Sequence, residues 1–567
     1  MKQFTRFIII LSLAINFSFL EDLPPYRSVM YYGDWSIYSG QGKFYPSKID
    51  ANSISHIIFS SLEIDSNGDL VLSDEFADFQ ITTLPELEGI KFGEPYGGVI
   101  GAISILKVKY PHLKLGISVG KNTKSEYFSE VAGDKVKREN FAKNIALFIN
   151  YIGYDFVDID WEFPAFIKKD NTFTSGNSDD TENYTLLLQE VRNQLNVYHK
   201  NNIRYELSAT MSAYPNILDK IEYDKVLQFV NFTNLMTYDF NGNWNSYTAH
   251  QSPLYTNDAF NNDLMSEAQF SIDNCIQYLE KKYWNKIDMK KIVISVAPYT
   301  RGWGGVMDDG LDKDNPGLFA TANPNSVKSS DGTNSGIYGF HEINNLKKQY
   351  DLLEFFDNKS KAAYYYSPNT GYFFTCDNEE SVAEKGKYVK QKELGGLAIW
   401  MASYDAENKI TKAMFNSLYG EGYAFPEREL LYNLISISAT IKATEDGYSI
   451  RIQNNGKRDE TNPALKYAEL FMHSIVNLKI YIVTRSGAEF SEGKGSGNVI
   501  NKNGEVIVDP SSYPESRIIW PKFNGYTFNV KVSGTPNVDD IKAISVSQRI
   551  LPSLPEFKKR IIYYISD

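Results

Sequence analysis

Eight short apolar runs recur along the first three quarters of the chain: SVMYYG (28–33), SHIIFSSL (55–62), LKLGISVG (113–120), FVDIDWE (156–162), YELSATMSA (205–213), FTNLMTYD (232–239), KIVISVAP (291–298) and GGLAIW (395–400). Longer stretches with helical periodicity lie between them, such as RENFAKNIALFINYIG (138–153) and NYTLLLQEVRNQLNVYHK (183–200). Strand-length runs alternating with helices predict βα units and a parallel sheet. Eight such units over about 400 residues match a closed (β/α)8 TIM barrel with insertions.

At 567 residues the chain is longer than one compact core usually covers. The barrel is expected over residues 24–425, interrupted at about 304–372 by a Gly-, Asn- and Asp-rich stretch that turns Tyr-rich. That stretch holds its own apolar segments, SGIYGFHEI, AAYYYS and TGYFFT, so it reads as a small inserted α+β subdomain. Residues 427–567 change texture: GYSIRIQNN, NLKIYIVTR, EVIVD, GYTFNVKVSG and IKAISVSQR alternate apolar and polar at period two. This predicts a β-rich accessory domain of the sandwich type. Trp520, Phe523 and Tyr526 there either present rings to a carbohydrate or fill the domain's core.

At the other end, Lys2 and Arg6 precede an apolar run from Phe7 to Phe19. The run is too short for a membrane span and suits a secretory signal over residues 1–20. No later stretch is long and apolar enough to span a bilayer. With 70 acids against 58 bases the chain lacks the basic footprint of a nucleic-acid or anionic-membrane binder. Two cysteines, Cys275 and Cys376, cannot build a disulfide scaffold or a zinc site. They form either one bridge or two buried thiols.

The fourth run carries the chemistry. In GYDFVDIDWEFP (153–164), Asp155, Asp158, Asp160 and Glu162 sit among Phe156, Val157, Ile159 and Trp161. Side chains alternate across a strand, so Asp158, Asp160 and Glu162 share one face and Val157, Ile159 and Trp161 the other. In a barrel the apolar set belongs under the helices and the acids line the interior, with Glu162 last, at the C-terminal mouth where active sites of this fold lie. Carboxyls this close cannot all ionise once buried, so they titrate as a coupled set with a proton held among them. A carboxyl kept protonated near neutral pH is what a general acid needs. A solvated edge is argued against by the flanking Val, Ile and Trp. A divalent cation would need oxygen ligands from a second acidic cluster, which is not apparent.

The run DFVDIDWE resembles the DxxDxDxE signature of glycoside hydrolase family 18, and other stretches resemble that family in the same order. SVMYYGDW is similar to its first strand, LGISVG to its third-strand Ser-x-Gly motif, NLMTYDF to its Met-x-Tyr-Asp motif, APYTRGW to its seventh-strand Tyr-x-Arg segment and GGLAIW to its eighth strand. The resemblance covers about residues 26–420 and implies substrate-assisted hydrolysis, in which the sugar's own N-acetyl group is the nucleophile. It makes Glu162 the proton donor. Asp160 orients the acetamido nitrogen and stabilises an oxazolinium ion, and Asp158 shares a proton with Asp160. Tyr238 donates to the acetamido carbonyl. Asp239 helps fix the sugar, Trp400 floors its site, and Trp35 stacks further along the chain of sugars. Tyr31 and Ser118 hydrogen-bond the base of the acid row. Met236, Met211, Tyr214 and Arg301 line the cleft, and Asp155 is a more structural member of the signature. Phe156 and Gly120-Lys121 depart from the family, which often has Gly at the first position and Gly-Gly at the second. The inserted stretch resembles the α+β insertion of one chitinase subgroup, which walls one side of a deep groove.

The resemblance, with the N-terminal signal reading, implies a secreted chitinase acting on chitin or chitooligosaccharides, expected as a monomer without cofactor. Two alternatives remain. One is an endo-β-N-acetylglucosaminidase acting on glycoprotein glycans. The other is a non-catalytic lectin, against which the retained Glu162 speaks.

Overall fold

The computed structural model describes residues 24–120, 125, 127–166, 176–197, 204–260, 270–426, 437–455, 462, 464–465, 467–468, 475–513, 518–519, 525–549 and 560–566. The signal reading of residues 1–20 and the rings of Trp520 and Phe523 lie outside the described residues.

The barrel strands are β1 (Arg27–Gly33), β2 (His56–Ile64), which carries a short antiparallel β3 (Leu70–Leu72), β4 (Lys114–Val119), β5 (Phe156–Ile159), β6 (Glu206–Ser212), β7 (Phe232–Met236) and β8 (Ile292–Val296). An inserted sheet supplies β9 (Arg301–Trp303), β10 (Leu353–Asp357), β11 (Ala362–Ser367) and β12 (Tyr372–Thr375), after which β13 (Gly396–Ile399) completes the barrel. Each of the eight expected runs contains one barrel strand. They pair in parallel in the order β1-β13-β8-β7-β6-β5-β4-β2, and β1 pairs with β2 to close the ring.

Alternation divides each strand between two cores. Val157, Ile159 and Trp161 face outward into the large cluster beneath the helices. Trp161 stacks on Phe128 at 5.4 Å and meets the edge of Tyr184 at 5.6 Å. The inward face is filled by Val29, Tyr31, Ile58, Phe156, Phe232, Val293 and Ala398. Phe156 occupies space vacated by Gly116, where an added Cβ would lie 2.3 Å from the Phe156 ring.

The helices read from sequence occur as Lys135–Ile152 and Asp180–Val197. Asp134 caps the first by accepting from Val136 N and Lys137 N, and Gly153, at φ 73°, ends it in the left-handed region that glycine favours.

The insertion is an antiparallel sheet in the order β10-β11-β12-β9 with the helix Ile343–Tyr350 packed on it. Its sheet begins at Arg301 and ends at Thr375, a few residues beyond 304–372 at both ends. The YTRGW segment therefore belongs to both the barrel mouth and the insertion.

The C-terminal region has β14 (Ile437–Ala443), β15 (Gly447–Asn454), β16 (Ile475–Val476), β17 (Lys479–Thr484), β18 (Phe490–Glu492), β19 (Asn498–Lys502), β20 (Glu505–Asp509), β21 (Ile518–Ile519), β22 (Tyr526–Val532), β23 (Ile541–Ser547) and β24 (Arg560–Ser566). Nine of them form one sheet in the order β18-β22-β15-β14-β24-β23-β17-β20-β19, with both halves closing on a single apolar core. Tyr526 belongs to that core, 8% exposed and stacked on Phe528. Ahead of β16, Ala464, Leu465 and Ala468 are buried in the barrel's own outer core.

Cys275 and Cys376 are separate buried thiols, so the bridge does not form. Burial pushes Cys275 up to about 12, which keeps it protonated. Among the described residues no helix is long and apolar enough to cross a membrane.

Candidate active site

The C-terminal mouth of the barrel opens into a cleft of about 930 Å³. Ten of the predicted residues line it: Tyr31, Trp35, Asp160, Glu162, Tyr214, Met236, Tyr238, Asp239, Arg301 and Trp400. They come from β1, β5, β6, β7, β9 and β13 or the turns that follow them, so separate strand ends converge on one space.

Asp158 lies one step below the cleft, fully buried. Four hydroxyls donate to its carboxylate: Ser208 at 2.6 Å to Oδ1, and Thr210, Tyr31 and Ser118 at 2.9, 3.1 and 3.2 Å to Oδ2. Asn234 Nδ2 donates to the Tyr31 hydroxyl at 2.7 Å and fixes that ring in turn. Burial pushes Asp158 above the ordinary aspartate range, and the hydroxyls pull it back.

Asp160, one strand repeat higher, has no such shell. Its Oδ1 is buried without a hydrogen-bond partner among the described residues. Desolvation first, then the charges of Glu162 and Asp158, hold it well above the usual range. No hydrogen bond joins Asp158 to Asp160, so the shared proton implied by the resemblance is not a direct contact here. The hydroxyls around Asp158 occupy both of its oxygens, and the two acids interact through charge. Glu162 is half-buried at the cleft, its backbone N–H donating to Ser125 Oγ at 3.2 Å. Burial, then Glu162 and Asp160, raise Tyr238 well above a free phenol, so its hydroxyl remains a donor.

Asp239 is held bidentately by Arg301, Nε to Oδ1 at 2.8 Å and Nη2 to Oδ2 at 2.7 Å. The Tyr214 hydroxyl donates to the Asp239 carbonyl at 3.0 Å. Trp400 lies 5.6 Å from Tyr31 and 6.3 Å from Trp35 between ring centroids, a continuous aromatic floor. Trp244 also lines the cleft, half exposed, with the Arg301 guanidinium over its ring at 5.1 Å. The peptide bonds Glu162–Phe163 and Trp400–Met401 are cis. Gly120, at φ +95°, passes so close to the Asp160 carbonyl that a Cβ would sit 2.4 Å from it. The first glycine of the departing Gly-Lys pair is thus required, while Lys121 lies outside the described residues.

Two predicted residues are elsewhere. Met211 faces outward from β6 into the core beneath the helices, 1% exposed, because its strand neighbours Ser208, Thr210 and Ser212 take the inward positions. Asp155 precedes β5 at the opposite end of the barrel, bound to Lys107 at 2.5 and 2.6 Å and to Leu115 N at 2.7 Å. It touches no part of the cleft. Sequence reasoning missed Ser208, Thr210 and Asn234, although the polar positions of E-L-S-A-T-M-S at period two carried the signal for the first two. It also missed Trp244, six residues beyond Tyr238. Among the described residues no group of His, Cys, Asp and Glu side chains converges as a metal cage.

Fold and site together define a barrel enzyme with a buried acid column and an aromatic-floored cleft. The profile of Glycosyl hydrolases family 18 matches residues 27–405, and the chain belongs to that family. It is 29% identical to Chitinase A1 of Niallia circulans over 439 residues, 71% of this chain and 60% of that protein. It is 27% identical to Endochitinase 1 of Metarhizium robertsii over 387 residues, 67% and 82% of the two chains. Among solved structures, Chitinase ChiA74 from Bacillus thuringiensis superposes with a TM-score of 0.62 at 22% identity, covering 92% of this chain and all of that one, a likeness of fold.

Proposed function

We propose that the protein is a secreted chitinase that hydrolyses β-1,4-linked N-acetylglucosamine chains with retention. The observation carrying this reading is the meeting of Glu162, Asp160 and Tyr238 at one cleft, over a Trp400 floor, with Asp158 immobilised beneath. The sugar at the cleavage point stacks on Trp400, and Glu162 hands its proton to the glycosidic oxygen. Tyr238, kept protonated by its surroundings, donates to the acetamido carbonyl and holds that oxygen under the anomeric carbon. The unpartnered Asp160 Oδ1 takes the acetamido N–H, and the carboxyl stabilises the oxazolinium cation as it forms. Water, activated by Glu162, then opens the oxazolinium from the same face. Arg301 fixes Asp239, and Trp35 and Trp244 extend the aromatic surface along the polymer.

The test is incubation with colloidal chitin and, separately, with a high-mannose glycoprotein. Soluble N-acetylglucosamine oligomers from chitin are expected. Release from the glycoprotein alone would move the assignment to an endo-β-N-acetylglucosaminidase.

A further inference from the structure

Trp35 sits at the edge of the cleft in the short turn Asp34–Ile37, directly after β1. What holds this turn is a second group of acids, outside the catalytic column. Asp34 is 3% exposed, and the Ser73 hydroxyl, with one proton to share, lies within hydrogen-bond distance of its Oδ2 and, at 2.7 Å, of the Ser61 carbonyl. Asp78 is fully buried beside Asp34, with Oδ2 accepting from Asp74 N at 3.4 Å and Oδ1 without a hydrogen-bond partner among the described residues. On the other side of Trp35, the Tyr38 hydroxyl donates to Asp74 Oδ2 at 2.5 Å. Asp74 and Asp78 belong to a single turn, closed by Ala77 N donating to Asp74 Oδ1 at 3.0 Å. The Asp74–Gln80 turn therefore grips the Trp35 turn at both ends.

That turn is itself held from a distant part of the sequence. The ring of Tyr467 stacks on Phe79, 5.7 Å between centroids and 18° between planes. The Tyr467 hydroxyl donates to Glu75 and accepts from Gln80 Nε2 at 3.2 Å. Asn462 reaches Asp69 at 3.4 Å, and Ala464, Leu465 and Ala468 are buried on the barrel.

We propose that Asn462, Ala464, Leu465, Tyr467 and Ala468 act as a brace for the far arm of the substrate cleft, with Tyr467 a positioning residue for Trp35 through the Asp74–Gln80 turn. The inference rests on the chitinase reading and adds to it a role for the C-terminal region in the grip on long chains. A substrate that reaches Trp35 feels the brace, and one confined to Trp400 and Glu162 does not.

The experiment compares wild type, Tyr467→Ala, Tyr467→Phe, Asp78→Ala and Asp78→Asn on a hexamer of N-acetylglucosamine and on a short chromogenic dimer. Tyr467→Ala and Asp78→Ala are expected to raise KM for the hexamer about three- to tenfold, the size of one weakened stacking contact. Their kcat, and their KM for the dimer, stay at the wild-type value. Tyr467→Phe keeps the stack and Asp78→Asn keeps a hydrogen-bonding group beside Asp34, so both remain near wild type. Equal changes on both substrates, or none on either, would overturn the brace. Hydrogen exchange over residues 34–38, faster in Tyr467→Ala and unchanged in Tyr467→Phe, reads the same contact without using activity. Unaltered exchange in Tyr467→Ala would refute the brace. Wild-type enzyme inert on both sugars would refute the chitinase reading instead.

Discussion

Asp158 and Asp160 are the same residue type two positions apart, yet their surroundings separate them. Asp158 is enclosed by hydroxyl donors, whereas Asp160 has other acids beside it and an Oδ1 without a hydrogen-bond partner among the described residues. Its raised value has a definite sign in stability. Below the ordinary aspartate range, near 3.8, Asp160 is protonated both folded and unfolded. As pH rises through and above that range the unfolded chain loses the proton first, so folding stability falls until the folded group ionises as well. Asp160→Asn removes this loss: the melting temperature of the variant minus that of wild type is expected to grow as pH is raised from 4 toward neutrality, and a constant difference across that range, by calorimetry, would contradict the assignment. Thr210→Val deletes one donor to Asp158 and leaves the carboxylate less paired. A loss of about 1–3 kcal/mol in stability is expected from chemical denaturation. The acid column, Tyr238 and Trp400 were legible because their spacing is a pattern in one strand or a short motif. Asn234 was not, since its role depends on meeting the Tyr31 hydroxyl, 203 positions away in sequence.

At the level of elements, β6 shows what period two decides. Of its even-numbered residues, Ser208 and Thr210 supply donors beneath the acid column, and its odd-numbered residues feed the outer core. Met211 was misplaced because the motif resemblance was read without the alternation. Met211→Leu, a near volume-conserving change, is therefore expected to leave kcat/KM unaltered and to cost less than about 1.5 kcal/mol. A large loss of activity without unfolding would restore it to the cleft. The helix Glu379–Gln391 is tied to the barrel by a fully buried pair. Lys385 Nζ donates to Asp377 Oδ2 at 2.6 Å and to Ser252 Oγ at 2.7 Å, and Asp377 also accepts from Ala297 N at 2.8 Å. Lys385→Met leaves Asp377 buried without its counter-charge, and about 3–5 kcal/mol of destabilisation is expected from urea unfolding. Nothing in the sequence distinguishes Lys385 from the solvated lysines around it, because its burial follows only from how the helix docks.

For the molecule as a whole, the barrel, the insertion and the β-rich C-terminal region were readable from the order and period of the apolar runs. The joint between them was not. A boundary after Phe425 treats the C-terminal region as separable, yet Leu465 and its neighbours complete the barrel's outer core and Tyr467 covers Phe79. Truncation there removes the burial of at least one large side chain, about 1.5–3 kcal/mol. A melting temperature several degrees lower is expected, and an unchanged one would make the region a passive appendage. The reach of such contacts ends at the cleft, where the account stands on one proton. Glu162→Gln keeps the shape of the side chain and removes the acid. The decisive measurement pairs calorimetric binding of an N-acetylglucosamine hexamer with its rate of hydrolysis in this variant. Retained binding with turnover reduced about 10²- to 10⁴-fold is the predicted result, and turnover equal to wild type would contradict it.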